Sequence, residues 1–361
     1  MKILILAPYS SPIVQRLSSA LEKYAEHEVW VASFNIETDI KNKIIGLGKL
    51  NSFLDYFKVN KVNKVIEQIN PDVVHAHIIN HYGIMALLQK KPLLVALWGS
   101  DVMLAPNQGS LLKRKFYTYI NALVAKRANL LHTSSKHIQD EMVTKYNSNM
   151  MNKIEVFYWG FPVEKPNSND YSNIQNIFLK EYGIKREDNL IVATRGLGAV
   201  YDPENMVKVI KKLSKNPLLK TVVLRGFAEE DQVNYFKEKI ENFKDRVIFI
   251  DRLLSSNELY VLYGQTKYHI SIPVSDALGG GVVEPLLMGS YPILSNIPPY
   301  QAFISENSGY ILKDYTLESL DHLYGKILNN ELKVDIVAIK DKFSAEAIVS
   351  KFDNLYSKIL R

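Results

Sequence analysis

Cysteine is absent from the 361 residues, which excludes disulfides and thiolate metal sites. No stretch approaches the roughly 18 consecutive apolar residues of a membrane span. The N-terminal MKILILAPYS is a short apolar strand that meets turn residues and lacks a signal-peptide cleavage pattern, so a cytoplasmic protein is expected. No Asp-x-Asp pair occurs, and His75-x-His77 alone is a weak ligand set; no metal and no resident cofactor are expected. Nucleic acid is not an expected partner either, because no nucleic-acid module accompanies the charge.

What remains is a globular composition, 47% hydrophobic and 23% charged. The length exceeds one ordinary core and implies two domains. The net charge is +6, and the whole surplus falls in residues 1–164 while residues 165–361 balance. A basic half can steer anionic partners.

Short aliphatic runs alternate with helical patterns throughout, the mark of a parallel sheet covered by helices. KILILAP, EVWVASF, PDVVHAH, PLLVALWGSD, NLLHTSS and IEVFYWGFP read as strands of a first domain. NLIVATRG, TVVLRG, RVIFIDR, YHISIPVSD and YPILSN read as strands of a second. Between them, residues 163–176 are rich in Asn, Ser and Pro, which is linker chemistry. The expected fold is α/β, with two doubly wound, Rossmann-like parallel-sheet domains facing across a cleft: residues 1–162 and 163–345. Ligands of such sheets sit beyond the carboxyl ends of the strands, so strand tails are the places to inspect.

The densest tail is DALGGGVVEPLLMGSYPILSN, residues 276–296. Asp276 and Glu284 stand eight positions apart with Gly279, Gly280 and Gly281 between them. Glycines let backbone amides approach a ligand closely, and a helix starting after them would turn its N-terminal amides and dipole toward an anion. Two carboxylates beside a phosphate-binding turn suit a ligand bearing both phosphates and hydroxyls, a nucleotide sugar. A glycine-rich turn capping a structural helix is the plainer alternative.

This segment resembles the acidic-x7-Glu signature of the retaining glycosyltransferases of family 4, whose fold is the two-lobed GT-B. The resemblance implies that Asp276 reaches the donor sugar, that the amides of Gly279–Gly281 hold sugar and diphosphate, and that Glu284 binds the ribose. It covers most of the chain, and implies that the final helix, residues 346–361, returns to the N-terminal domain. Arg195, ending NLIVATRG, matches the family's arginine, which steadies the leaving diphosphate. Three departures stand out: Asp276 replaces the usual Glu, Val200 the usual Lys, and Trp98 a His common in the family. The match is to a Trp-Gly-Ser-Asp branch, in which Asp101 is the polar group available to a sugar hydroxyl. Arg225 and Arg252 end two further strands that resemble the base-binding edge; ion pairing at the surface is the other reading of Arg252.

On the acceptor side, Ser10 and Ser11 occupy the loop after the first strand, where a plain N-cap before Pro12 serves as well as a ligand contact. Strand alternation is taken to turn only one of His75 and His77 toward the cleft, with His77 the site residue. SLLKRKFYTYINALVAKRANLL sets Lys113, Arg114 and Lys115 beside Phe116, Tyr117 and Tyr119. That is an ordinary solvated helix face, or a surface for anionic lipid at the inner membrane face.

The expected activity is therefore metal-independent, retaining transfer from a nucleotide sugar, with a UDP-sugar favoured over a GDP-sugar. The acceptor would be a glycan, lipid-linked or surface-polysaccharide precursor. A phosphorylase or epimerase on the same fold is the rival enzyme. A non-catalytic sugar-binding subunit of a transferase complex is the rival outside enzymes.

Overall fold

The computed structural model describes residues 1–162 and 164–361. The chain divides into two compact units, Met1–Phe161 with Ser344–Arg361, and Pro162–Phe343. Val163, where the linker reading begins, lies outside the described residues.

The first unit holds strands β1 (Lys2–Leu6), β2 (Glu28–Ser33), β3 (Ile44–Gly46), β4 (Val73–His77), β5 (Leu93–Leu97), β6 (Leu130–Thr133) and β7 (Ile154–Val156). They form one sheet in the order β3-β2-β1-β4-β5-β6-β7, with every neighbouring pair parallel. Helices cover both faces, so central strands read as continuous apolar runs; all five residues of β5 are buried. The helix Ala345–Leu360 packs beside the helix Pro12–Ala25. Ser344 caps it, its hydroxyl accepting from the Ala347 amide at 3.2 Å. His27 Nε2 pairs with Asp353 at 2.8 Å, and Phe352 and Tyr356 are fully buried.

The second unit holds β8 (Asn189–Ala193), β9 (Leu219–Leu224), β10 (Val247–Ile250), β11 (Thr266–Ser271), β12 (Tyr291–Ser295) and β13 (Tyr310–Leu312). Their order is β10-β9-β8-β11-β12-β13, again all parallel. Side chains alternate across this sheet. Ile191 and Ala193 enter one core and Leu190 and Val192 the other. The expectation of two doubly wound parallel-sheet domains is borne out. Among the described residues no helix is long and apolar enough to cross a membrane.

Candidate functional site

In the second unit, β8 lies between β9 and β11. Strands after β8 in the chain run outward on one side as far as β10, then restart at β11 on the other. The connections leaving β8 and β11 therefore diverge, which opens a crevice at the carboxyl ends of these two strands. Arg195 follows β8, and the turn Asp276–Gly281 follows β11.

Arg195 and Asp276 meet at this point. Arg195 Nη2 donates to Asp276 Oδ1 at 2.9 Å. The other oxygen, Oδ2, accepts from the Tyr300 hydroxyl at 2.7 Å and from the Gly279 amide at 3.1 Å. The guanidinium also lies over the Tyr201 ring, 4.9 Å from its centre. Burial opposes the charge on Arg195, but Asp276 and the surrounding tyrosines more than offset it and raise its pKa above the ordinary arginine value. Burial, then the Asp276 carboxylate, lifts the Tyr300 phenol well above its usual range, so it stays a donor. Arg195 Nε is buried and has no hydrogen-bond partner among the described residues.

The three glycines make room for two side chains, Arg195 over Gly279 and Gly281 and Glu284 over Gly280. A Cβ on Gly279 would lie 2.2 Å from Arg195 Nη1. One on Gly280 would lie 2.6 Å from Glu284 Oε1, and one on Gly281 3.0 Å from Arg195 Cδ. Leu278, just before them, bends the chain with a φ of 63°, a conformation uncommon for a residue with a branched side chain.

The helix after the turn, Gly280–Leu287, contains Pro285. Proline has no amide, so the carbonyl four residues earlier loses its helical donor. That carbonyl belongs to Gly281, and the Thr194 hydroxyl donates to it at 2.6 Å. Thr194 thus ties the end of β8 to the helix start. The amides of Gly280 and Gly281 open the helix and have no partner within it. Half-buried Glu284 lies over Gly280 one turn in.

Strand-end reasoning found Arg195, Asp276, Gly279, Gly280, Gly281 and Glu284, which the fold brings together. It missed Thr194, Tyr201 and Tyr300. Tyr300 follows β12, and the same strand-end rule applied to YPILSNIPPY would have reached it. Arg225 and Arg252 stand elsewhere. Arg225 donates to Asp251 at 2.8 Å and to Glu230 at 3.0 Å. Arg252 donates to Glu258 at 2.6 Å and to Glu181 at 3.2 Å, and its hydrogen bond holds Glu258 down at about 2. Both guanidiniums are occupied by carboxylates of their own surroundings, and neither contacts Arg195 or Asp276.

In the first unit Ser10 is exposed and Ser11 is the N-cap of Pro12–Ala25, without a side-chain cap bond. His75 and His77 do not split between two faces. Residues two apart in a strand share one, and the two rings lie 4.2 Å apart. Both are fully buried, as is His132. His75 bonds to the Tyr356 hydroxyl at 2.9 Å and to His132 at 2.8 Å. His77 Nδ1 accepts from the Trp98 indole at 3.2 Å. Burial pushes His77 down to about 3 and His75 and His132 well below their usual value. The expected acceptor contact at His77 gives way to a neutral imidazole in the core, behind Trp98.

Asp101 is likewise buried, 3% exposed. Its carboxylate accepts from the amides of Gly99 (2.8 Å), Trp98 (3.1 Å) and Ile79 (3.3 Å). Gly99 adopts a φ of 110°, which a residue with a Cβ rarely does. Burial raises the Asp101 pKa while these amides pull it down. Its bonds fasten the loop after β5 to the loop after β4, so Asp101 positions Trp98 rather than presenting a free carboxylate.

Residues 2–135 match the family described as glycosyl transferase 4-like. Among curated proteins none matches the sequence. Solved structures match across nearly the whole chain. Anabaena HepE, solved with UDP and glucose, is 16% identical, with a TM-score of 0.75, covering 99% of this chain and 100% of its own. Sucrose-phosphate synthase from Thermosynechococcus elongatus is 12% identical, with a TM-score of 0.78 and 99% of both chains covered. UDP-GlcNAc 2-epimerase from Neisseria meningitidis, solved with UDP-GlcNAc, is 12% identical, with a TM-score of 0.65, covering 99% of this chain and 100% of its own. The fold is GT-B, and over residues 2–135 the resemblance to glycosyltransferase family 4 read from the sequence is borne out.

Proposed function

We propose that this protein is a retaining glycosyltransferase that uses a nucleotide sugar, with UDP as the carrier. One observation carries the reading: a buried arginine, a glycine turn and two carboxylates converge at the carboxyl ends of β8 and β11, where the strand order of the second unit reverses. The family match over residues 2–135 favours a transferase over the epimerase that shares the fold. HepE, with the same fold, holds UDP and glucose.

The donor diphosphate would lie against the amides of Gly280 and Gly281 and the outer N–H groups of Arg195, with the ribose hydroxyls on Glu284. Asp276 would take a sugar hydroxyl and keep the guanidinium flat over Gly279. In the reaction the bond from C1 of the sugar to the β-phosphate oxygen breaks. The acceptor oxygen bonds to the same face of C1, and its proton passes to the departing phosphate. Arg195 and the helix amides stabilise the charge that grows on that phosphate, so no metal is needed in this scheme. Arg225 and Arg252 are outside it, since carboxylates hold both.

The exposed start of the helix Leu111–Arg127 supports docking on an anionic membrane where a lipid-linked acceptor resides. Leu111, Leu112 and Tyr119 are 71%, 80% and 63% exposed. Lys113, Arg114 and Lys115 crowd the helix N-terminus, the end where the dipole disfavours cations. An anionic apolar surface would relieve both costs. Flotation with anionic vesicles at low salt tests this, and absence of binding refutes it.

Release of nucleoside diphosphate from a panel of UDP-, GDP- and ADP-sugars, with and without a chelator, tests the activity. Chelator-insensitive release from a UDP-sugar is expected. Binding of a nucleotide sugar without turnover, with glycan and lipid-linked acceptors supplied, would instead support the non-catalytic subunit.

A further inference from the structure

We infer that the first unit carries a pocket for an uncharged saccharide, and that this pocket receives the acceptor; the acceptor role rests on the transferase reading. The pocket has a volume of about 330 Å³ and opens at the carboxyl ends of β1 and β2. That is the lower end of the usual range for small-molecule sites, ~300–1,000 Å³.

Its floor is aromatic. Phe34, Tyr56 and Tyr82 are buried and pack edge to face or tilted, with ring centres 5.4–5.9 Å apart. The Tyr82 hydroxyl is used internally, accepting from the Phe34 amide at 3.1 Å. The Tyr56 hydroxyl makes no hydrogen bond among the described residues. At the rim Asn35 Oδ1 accepts from the Leu50 amide at 2.9 Å, which leaves Nδ2 as a donor. Gln15 Nε2 donates to the Tyr9 carbonyl at 2.8 Å, which leaves Oε1 as an acceptor.

No charged side chain lines the pocket among the described residues. Lys61 lies over the Phe34 ring at 5.6 Å, and its ammonium is committed to the Leu47 carbonyl. A phosphate or carboxylate entering here would lose water without gaining a charged partner. A molecule with one apolar face and hydroxyls along its edge meets every group present: C–H bonds over the rings, hydroxyls to Tyr56, Asn35 and Gln15. A sugar ring has that form. None of the first unit's cations is among the lining residues, so charge steers and the pocket selects.

Saturation-transfer NMR on the full-length chain, with UDP present, tests the inference. Probes are neutral methyl hexosides and methyl N-acetylhexosaminides against glucose 6-phosphate, glucuronate and uridine. Neutral glycosides are expected to bind and the charged sugars to bind at least about tenfold more weakly. Asn35→Ala and Tyr56→Phe each remove one hydrogen bond, so each should weaken glycoside binding about fivefold while UDP affinity stays at the wild-type value. The inference fails if no glycoside binds at tens of millimolar, if charged sugars or uridine bind as well, or if both variants bind like wild type. Wild-type protein that binds glycosides but not UDP would keep the pocket and overturn its acceptor role.

Discussion

The hydroxyl of Thr194 donates to the carbonyl of Gly281 at 2.6 Å, supplying the bond that Pro285 withholds from its own helix. Thr194→Val keeps the shape and removes the donor. A carbonyl left half-buried without a partner costs about 1–3 kcal/mol, and urea denaturation should show a loss of that size. Because this bond also sets the helix start, UDP affinity should fall with it. Unchanged stability would mean that the Gly281 carbonyl has another donor.

Gly279→Ala tests the cradle. Its Cβ would meet Arg195 Nη1 at 2.2 Å, and the local backbone, with φ of −82°, accepts alanine without strain. The fold should therefore survive while the guanidinium moves. Turnover should drop at least about tenfold, a loss of about 1.4 kcal/mol of transition-state stabilisation, with far-ultraviolet circular dichroism unchanged. Wild-type kcat/KM would show that the arginine need not lie over this turn.

Stability should fall on acidification. His75, His77, His132 and His269 are fully buried, and burial holds all four below the ordinary imidazole value of 6.5, His77 and His269 at about 3. Between those values the unfolded chain binds protons that the folded chain does not. Stability is therefore complete above about pH 6.5 and is lost as pH falls toward 3, by about 1.4 kcal/mol per pH unit for each such histidine. Urea midpoints measured from pH 7.5 to 5 check this. His77→Gln should flatten the dependence, and a midpoint constant over that range would mean that these imidazoles are not held neutral.

Much of the architecture was legible because strands of a covered parallel sheet are dense in aliphatic residues and end in polar ones. β3 and β13 are three-residue edge strands, too short for any period; β7, equally short, was reached because the apolar run IEVFYWGFP extends beyond it. Arg195, Asp276 and Glu284 were visible because strand ends and glycine spacing mark them locally. Tyr300 lies 24 positions from Asp276, and only its place after β12 marks it, with nothing to tie it to that carboxylate. Asp101 and His77 misled for another reason. Residue type says that a carboxylate or imidazole can meet a ligand, but the path of the backbone decides whether amides and indoles reach it first. At Asp101 three amides do.

Calorimetric titration with UDP bears most directly on the donor site, using wild-type protein, Arg195→Ala and Glu284→Gln. Saturable binding is predicted for the wild type. Arg195→Ala should lose at least about tenfold in affinity through the diphosphate. Glu284→Gln should lose affinity for UDP but not for pyrophosphate, which has no ribose. Wild-type affinity for UDP in both variants would contradict the placement of the donor at Arg195 and the Gly279–Gly281 turn.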